Sequence, residues 1–283
     1  MIPPSTIVPA FALATLVPAF AALYLVPSLK GVRLRYLAAA GAGLALWFLL
    51  DTMGDAAFLD AYCCSVYPPS LFGGVGHLAL VGAFVLGFVV LAVFDRFAVP
   101  GRPRPAEGAA NARTLPFLIP VAVAAVMGVH GLGEGWVAVS PVSSGPVVSV
   151  GLWQALIATY GDVAALVSYP IHKFLEASVI AVLYTAYVSR AEGAEKERWW
   201  QVPLLGALFA GPSVVGAIAG YYASFNTTYF FAFGVTAAFY ALLRLSEPIL
   251  PDFRERGPSR LGTGVFVALL AGFLLLYAAA LLH

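Results

Sequence analysis

Runs of about 20 mostly apolar residues recur along this chain, separated by short polar or Pro/Gly-containing stretches. Strict alternation of period 2, the mark of a half-buried strand, does not organise it. A bilayer core of about 30 Å needs roughly 20 apolar residues per helix. Eight segments meet that length: about 8–29, 35–58, 73–95, 115–139, 163–190, 201–222, 227–246 and 261–282. Between the fourth and fifth, Ser143, Ser144, Gly145, Pro146, Gly161 and Asp162 interrupt the pattern. That stretch reads as an outer loop with a short surface or re-entrant helix near 151–160. The pattern predicts an all-α polytopic membrane protein with eight transmembrane helices, forming a single transmembrane domain over residues 1–283.

Composition agrees. The chain is 61% hydrophobic and 10% charged, with a mean hydropathy of +0.91. Soluble domains carry about 25% charged residues, so the expected partner is a lipid bilayer. A net charge of +1 excludes nucleic-acid binding by a basic surface, which needs an excess of Lys and Arg against phosphate. The two cysteines, Cys63 and Cys64, are adjacent and form no ordinary disulfide framework. The first apolar run has no basic stretch before it, so no cleavable signal peptide is expected.

The basic residues test the span count. Short loops rich in Lys and Arg stay cytoplasmic. Lys30, Arg33, Arg35, Arg96, Arg102, Arg104, Arg113, Arg190, Lys196, Arg198, Arg244, Arg254, Arg256 and Arg260 all fall on one side of an eight-span layout, which is 14 of the 15 basic residues. A ninth span within 141–162 would scramble this segregation. Both termini are therefore expected outside, in the plasma membrane of the cell. The inner loop 96–114, rich in Pro, Gly and Arg, reads as a flexible connection rather than a domain.

The remaining basic residue, Lys173, lies inside the fifth span. A charge at the bilayer centre costs at least about 2.5–3.5 kcal/mol, so such residues need partners or a task. Span 4 carries His130 and Glu134; span 5 carries His172, Lys173 and Glu176. Each has His-x-x-x-Glu, and positions i and i+4 share one helix face. Both histidines stand about nine residues from the outer end of their span, so the four groups can meet at one depth. Two imidazoles and two carboxylates suit a divalent cation of Zn²⁺ type, with Fe²⁺, Mn²⁺, Co²⁺ and Cd²⁺ compatible. The plainer alternative is polar glue between helices, with Lys173 paired to a glutamate.

These residues resemble the ZIP (Zrt/Irt-like) family of divalent metal transporters. The run His130-Gly131-Leu132-Gly133-Glu134-Gly135 is similar to that family's fourth-span His-[Asn/Ser]-x-x-[Glu/Asp]-Gly motif, with Gly131 in place of Asn or Ser. His172, Lys173 and Glu176 resemble its fifth-span pattern, with Leu175 and Ala177 in place of Pro and Gly. Asp51-Thr52-Met53-Gly54-Asp55-Ala56, the Gly211-Pro212-Ser213 run and the stretch from Gly234 to Pro248 are similar to the family's second, sixth and seventh spans, in order. The resemblance implies three helices, a central pair, and three helices inverted relative to the first, often as a homodimer. It implies a mid-membrane transport site of His130, Glu134, His172 and Glu176, and alternating access in which the helices carrying the metal move as a unit. Many relatives hold a second metal at the positions of Gly131 and Lys173. Here a glycine and a cation stand there, so a single-metal site with Lys173 as a built-in cation is expected. A neutral, proton-shuttling Lys173 is the alternative.

Outside the centre, Asp51 and Asp55 are a carboxylate pair near the outer end of span 2, and an acidic mouth there would concentrate cations. Cys63, Cys64 and His77 lie on the same side and could form a peripheral soft-metal site. Asn226-Thr227-Thr228 is a glycosylation sequon. Because an imidazole must be neutral to ligate, uptake is expected to weaken as pH falls through about 6. No organic cofactor and no enzymatic activity are expected. The rival is an intramembrane metal-dependent hydrolase using the same ligands with a bound water. A retinal protein would need Lys173 as a Schiff base, which eight spans and paired histidines argue against.

Overall fold

The computed structural model describes residues 2–29, 31–66, 76–98, 116–139, 150–189, 198–223, 225, 227–249 and 262–281. Among them are nine helices: α1 (Pro4–Ser28), α2 (Leu34–Val66), α3 (Gly76–Ala98), α4 (Leu118–Val139), α5 (Leu152–Tyr160), α6 (Val163–Val188), α7 (Gln201–Tyr222), α8 (Thr228–Ser246) and α9 (Thr263–Ala280). No strand occurs among the described residues. Seven helices are long and apolar enough to cross a membrane: α1, α2, α4, α6, α7, α8 and α9. Their outward faces expose large apolar side chains such as Val17, Leu270 and Leu274. In water such a surface would be an aggregation hazard; in lipid it is the solvent-facing side. The chain is an all-helical polytopic membrane protein.

Seven of the eight expected spans are matched by these helices among the described residues. The remaining one, 73–95, falls on α3, which packs on α8. A correction concerns α2. It was expected to end near residue 58, but it continues to Val66. No Gly or Pro interrupts residues 57–66, and the first breaker is the Pro68-Pro69 pair. Cys63 and Cys64 therefore lie on this helix, and His77 lies in the first turn of α3. Their side chains, and that of Asp60, fall outside the described residues, so the peripheral-site expectation is not addressed. The sequon's Asn226 likewise lies outside them.

The expected short helix is α5. Its start is fixed by Gln154 Oε1, which accepts from the Gly151 N–H at 2.8 Å. It ends at Gly161, whose φ of 91° lies in a region L side chains rarely adopt. The next residue, Asp162, caps α6 by accepting from the Ala165 N–H at 2.8 Å. This tight corner lets α5 fold back onto α1 and α6.

α6 is the most enclosed of the long helices. The helix pairing has an internal correspondence. Its principal pairs map onto one another, though unequal in extent, when α1 is exchanged with α7, α2 with α8, α3 with α9 and α4 with α6. Thus α4–α7 answers α1–α6, α2–α9 answers α3–α8, and α4–α8 answers α2–α6. Packing is densest within two groups, α1/α4/α6/α7 and α2/α3/α8/α9, and looser between them.

The closest seam is α4 on α7. Without a hydrophobic drive between helices in lipid, small residues let backbones approach and gain van der Waals contact. Gly128, Gly135, Gly216 and Gly220 supply this approach. A Cβ at Gly220 would stand 2.5 Å from the Trp136 carbonyl oxygen, and one at Gly216 would overlap that of Leu132.

Candidate metal site

α4 and α6 present their His-x-x-x-Glu stripes to each other. His130 Nε2 lies 3.2 Å from Glu134 Oε1, and His172 Nε2 lies 2.9 Å from Glu176 Oε1. The i, i+4 geometry read from the sequence is thus realised on both helices. One ligand atom each from His130, Glu134 and Glu176 can be chosen so that all three lie within 4.8 Å of one another. A single tetrahedral ion with bonds of about 2.0–2.2 Å needs its ligand atoms roughly 3.3–3.6 Å apart, so the side chains must draw together to hold one. His172 is not part of this group of three; it stands behind Glu176, one hydrogen bond away. The site is largely buried: Glu176 has no solvent exposure and His130 has 2%, while the Glu134 side chain keeps 16%.

Lys173 occupies the middle. Its Nζ donates to Glu176 Oε2 at 2.5 Å and also to Glu134 Oε2, bridging the carboxylates of the two helices. It is itself 1% exposed. The rings of Tyr169 and Phe209 lie 5.7 and 5.8 Å from the ammonium, within range of cation–π attraction. Burying one charge without a partner is prohibitive, whereas a paired and hydrogen-bonded cluster is tolerated. Lys173 and the two glutamates therefore account for one another's burial.

The orientation of His130 comes from packing. Its ring makes edge contacts with Phe48 and Phe231, with centroids 5.1 and 4.9 Å away. Its Nδ1 is buried without a hydrogen-bond partner among the described residues and faces α8 at Gly234, where a Cβ would stand only 2.8 Å from it. A metal on Nε2 needs the proton on Nδ1, and no described residue accepts it there. Ligating histidines in tight sites have such an acceptor, so this nitrogen suits moderate rather than tight binding. Sequence reasoning missed Gly234, Phe48 and Phe231. The Gly234 stretch was singled out only by resemblance, and its steric task has no signal in one sequence.

Above the site, Tyr169 is covered by Tyr160 and Phe11, with ring centroids 4.6 and 5.7 Å away, and its hydroxyl lies 3.3 Å from Thr15 Oγ1. The Tyr160 hydroxyl is buried without a partner, and burial pushes its phenol well above the ordinary tyrosine range. Tyr160 is therefore a neutral aromatic cover contributed by α5. Asp51 and Asp55 lie on α2 within electrostatic range of His130, Glu134 and His172. Gly131 faces the Ser213 hydroxyl of α7.

No protein-family model matches the chain, and no curated protein is significantly similar to it.

Proposed function

We propose that this protein is a divalent metal ion transporter, a divergent member of the ZIP type, that carries Zn²⁺ or a similar ion into the cytoplasm. The observation that carries this reading is the convergence of His130, Glu134 and Glu176 in a largely buried site between two apolar helices. Intramembrane ionisable residues gathered at one depth mark ion pathways. His172 completes the donor set as the partner that orients Glu176, or as a fourth ligand once the ion is bound. Gly131 offers no donor side chain and the Lys173 charge disfavours a second cation nearby, so the site is mononuclear.

The architecture supports the same reading. The exchange correspondence of helix pairs is what a 3+2+3 arrangement with inverted repeats produces, with α3 as the eighth span and α5 as a short outer insertion. Transporters of that plan place substrate near the midplane at the repeat interface. The group α1/α4/α6/α7 carries the cluster and moves against α2/α3/α8/α9 in an elevator-type cycle. Both termini face outside, Asp51 and Asp55 line the approach, and the protein works as a homodimer in the plasma membrane.

Proteoliposome flux tests this. Saturable Zn²⁺ uptake by the wild type, lost in both His130→Ala and Glu176→Ala, is expected. Undiminished uptake in both variants would refute the site. Bound metal with no flux in the wild type would move the protein to the hydrolase or a sensor.

A further inference from the structure

Lys173 raises a question that metal ligation alone does not answer. A carrier for divalent ions gains nothing from a fixed positive charge at the centre of its site. Yet the Lys173 ammonium is held by both carboxylates, one from each helix, with two aromatic rings around it. Its position is the position of the cargo. Building on the transport reading above, we propose that Lys173 is a tethered replacement cation: it occupies the carboxylate pair when the carrier is empty, is displaced when metal binds, and thereby lets the empty carrier return across the membrane.

The charge arithmetic supports this. With neutral histidines, Glu134, Glu176 and Lys173 give the empty site a net charge of minus one, and a bound divalent ion makes it plus one. Without Lys173 the empty site would carry minus two and the loaded site zero. The Born cost of holding charge in a low-dielectric setting rises as its square, so the empty state with both carboxylates bare would be about four times costlier than with Lys173 present. The loaded state would cross easily and the empty state would stall. A carrier that crosses only when loaded exchanges metal for metal and cannot accumulate it. With Lys173 the two crossings involve charges of equal size and opposite sign, so neither state is a trap. The lysine's long side chain is suited to swinging aside, because its stem can withdraw along the Tyr169 and Phe209 rings while the ammonium stays charged. The same competition loosens metal binding, which helps release.

The test separates two fluxes in the same proteoliposomes. Net uptake is measured into metal-free vesicles, and exchange is measured with radiolabelled Zn²⁺ outside and unlabelled Zn²⁺ inside. Wild type should show both. Lys173→Met should keep exchange, lose most net uptake, and bind Zn²⁺ more tightly by roughly 5–150-fold, the usual size of coupling between two ligands. Lys173→Arg, which keeps the charge, should retain net uptake in part. Lys173→Gln serves as a second neutral variant should the Met variant not fold. Net uptake at wild-type level in a neutral variant, or equal loss of net uptake and exchange in a variant that still binds Zn²⁺, would overturn the proposal while leaving transport intact. Absence of both fluxes in the wild type would instead overturn the transport reading, and this inference with it.

Discussion

At His130, Glu134, His172, Lys173 and Glu176 the chemistry of the site reduces to five side chains on two helices. The sequence makes two of their relations plain, because i, i+4 spacing within a helix leaves little freedom, and both hydrogen bonds appear where that spacing puts them. The third relation, Lys173 reaching from α6 to Glu134 of α4, depends on how the helices rotate about their axes. A single sequence does not contain that angle, so Lys173 was legible as a built-in cation or as the partner of one glutamate, but not as a bridge between both. The separation of His172 from the other three donors has the same cause. Gly234 leads to a residue-scale prediction. In Gly234→Ala the new Cβ would meet His130 Nδ1 and Cγ at 2.8 and 2.9 Å, with Thr52 Cγ2 at 3.1 Å behind it. The imidazole must turn from Glu134. Zn²⁺ affinity, measured by titration of purified protein, should fall by about 10–100-fold, as it does when support behind a ligating histidine is lost. Unchanged affinity would show that His130 does not ligate.

Among the elements, the glycine seam between α4 and α7 holds the cluster-bearing helix in place. Leu132 and Ser213 backbone atoms lie where side chains at Gly216 and Gly135 would stand. Backbone cannot yield as a rotamer can, so Gly216→Leu should destabilise by at least about 1–3 kcal/mol. A Cβ at Gly211 would meet nothing within 4 Å among the described residues outside its own helix turn, and Gly211→Ala should shift stability by no more than about 0.5 kcal/mol. Thermal unfolding in detergent compares the two; equal shifts would contradict the seam. Helix positions were largely legible, since α6, α7 and α8 start and stop within two residues of their expected ends. Apolar length and caps decide those boundaries. α2 runs past its expected end because apolar length sets the span near residue 58, whereas the helix continues until a breaker stops it, and residues 57–66 contain no Gly or Pro. Which glycines face each other was illegible for the same rotational reason as the Lys173 bridge.

For the whole molecule, seven apolar helices among the described residues and a buried ionisable cluster mark a membrane protein, and the proposed direction of the chain through the bilayer rests on the distribution of its basic residues. If Lys and Arg mark the cytoplasmic side, single cysteines placed in 101–112 and 251–260 should resist impermeant maleimides added to intact cells, whereas cysteines placed in 143–149 should react. The labelling would be done in a Cys63→Ser/Cys64→Ser background. The reverse pattern would invert the orientation and the direction of transport proposed from it. The central claim, one divalent ion held between α4 and α6, is tested most directly by zinc-edge X-ray absorption on purified protein loaded with Zn²⁺, beside metal counting. The expected result is one ion per chain with mixed N/O ligands at about 2.0–2.2 Å, lost in His130→Ala/Glu176→Ala. Two ions per chain, or an unchanged spectrum in that double variant, would contradict it.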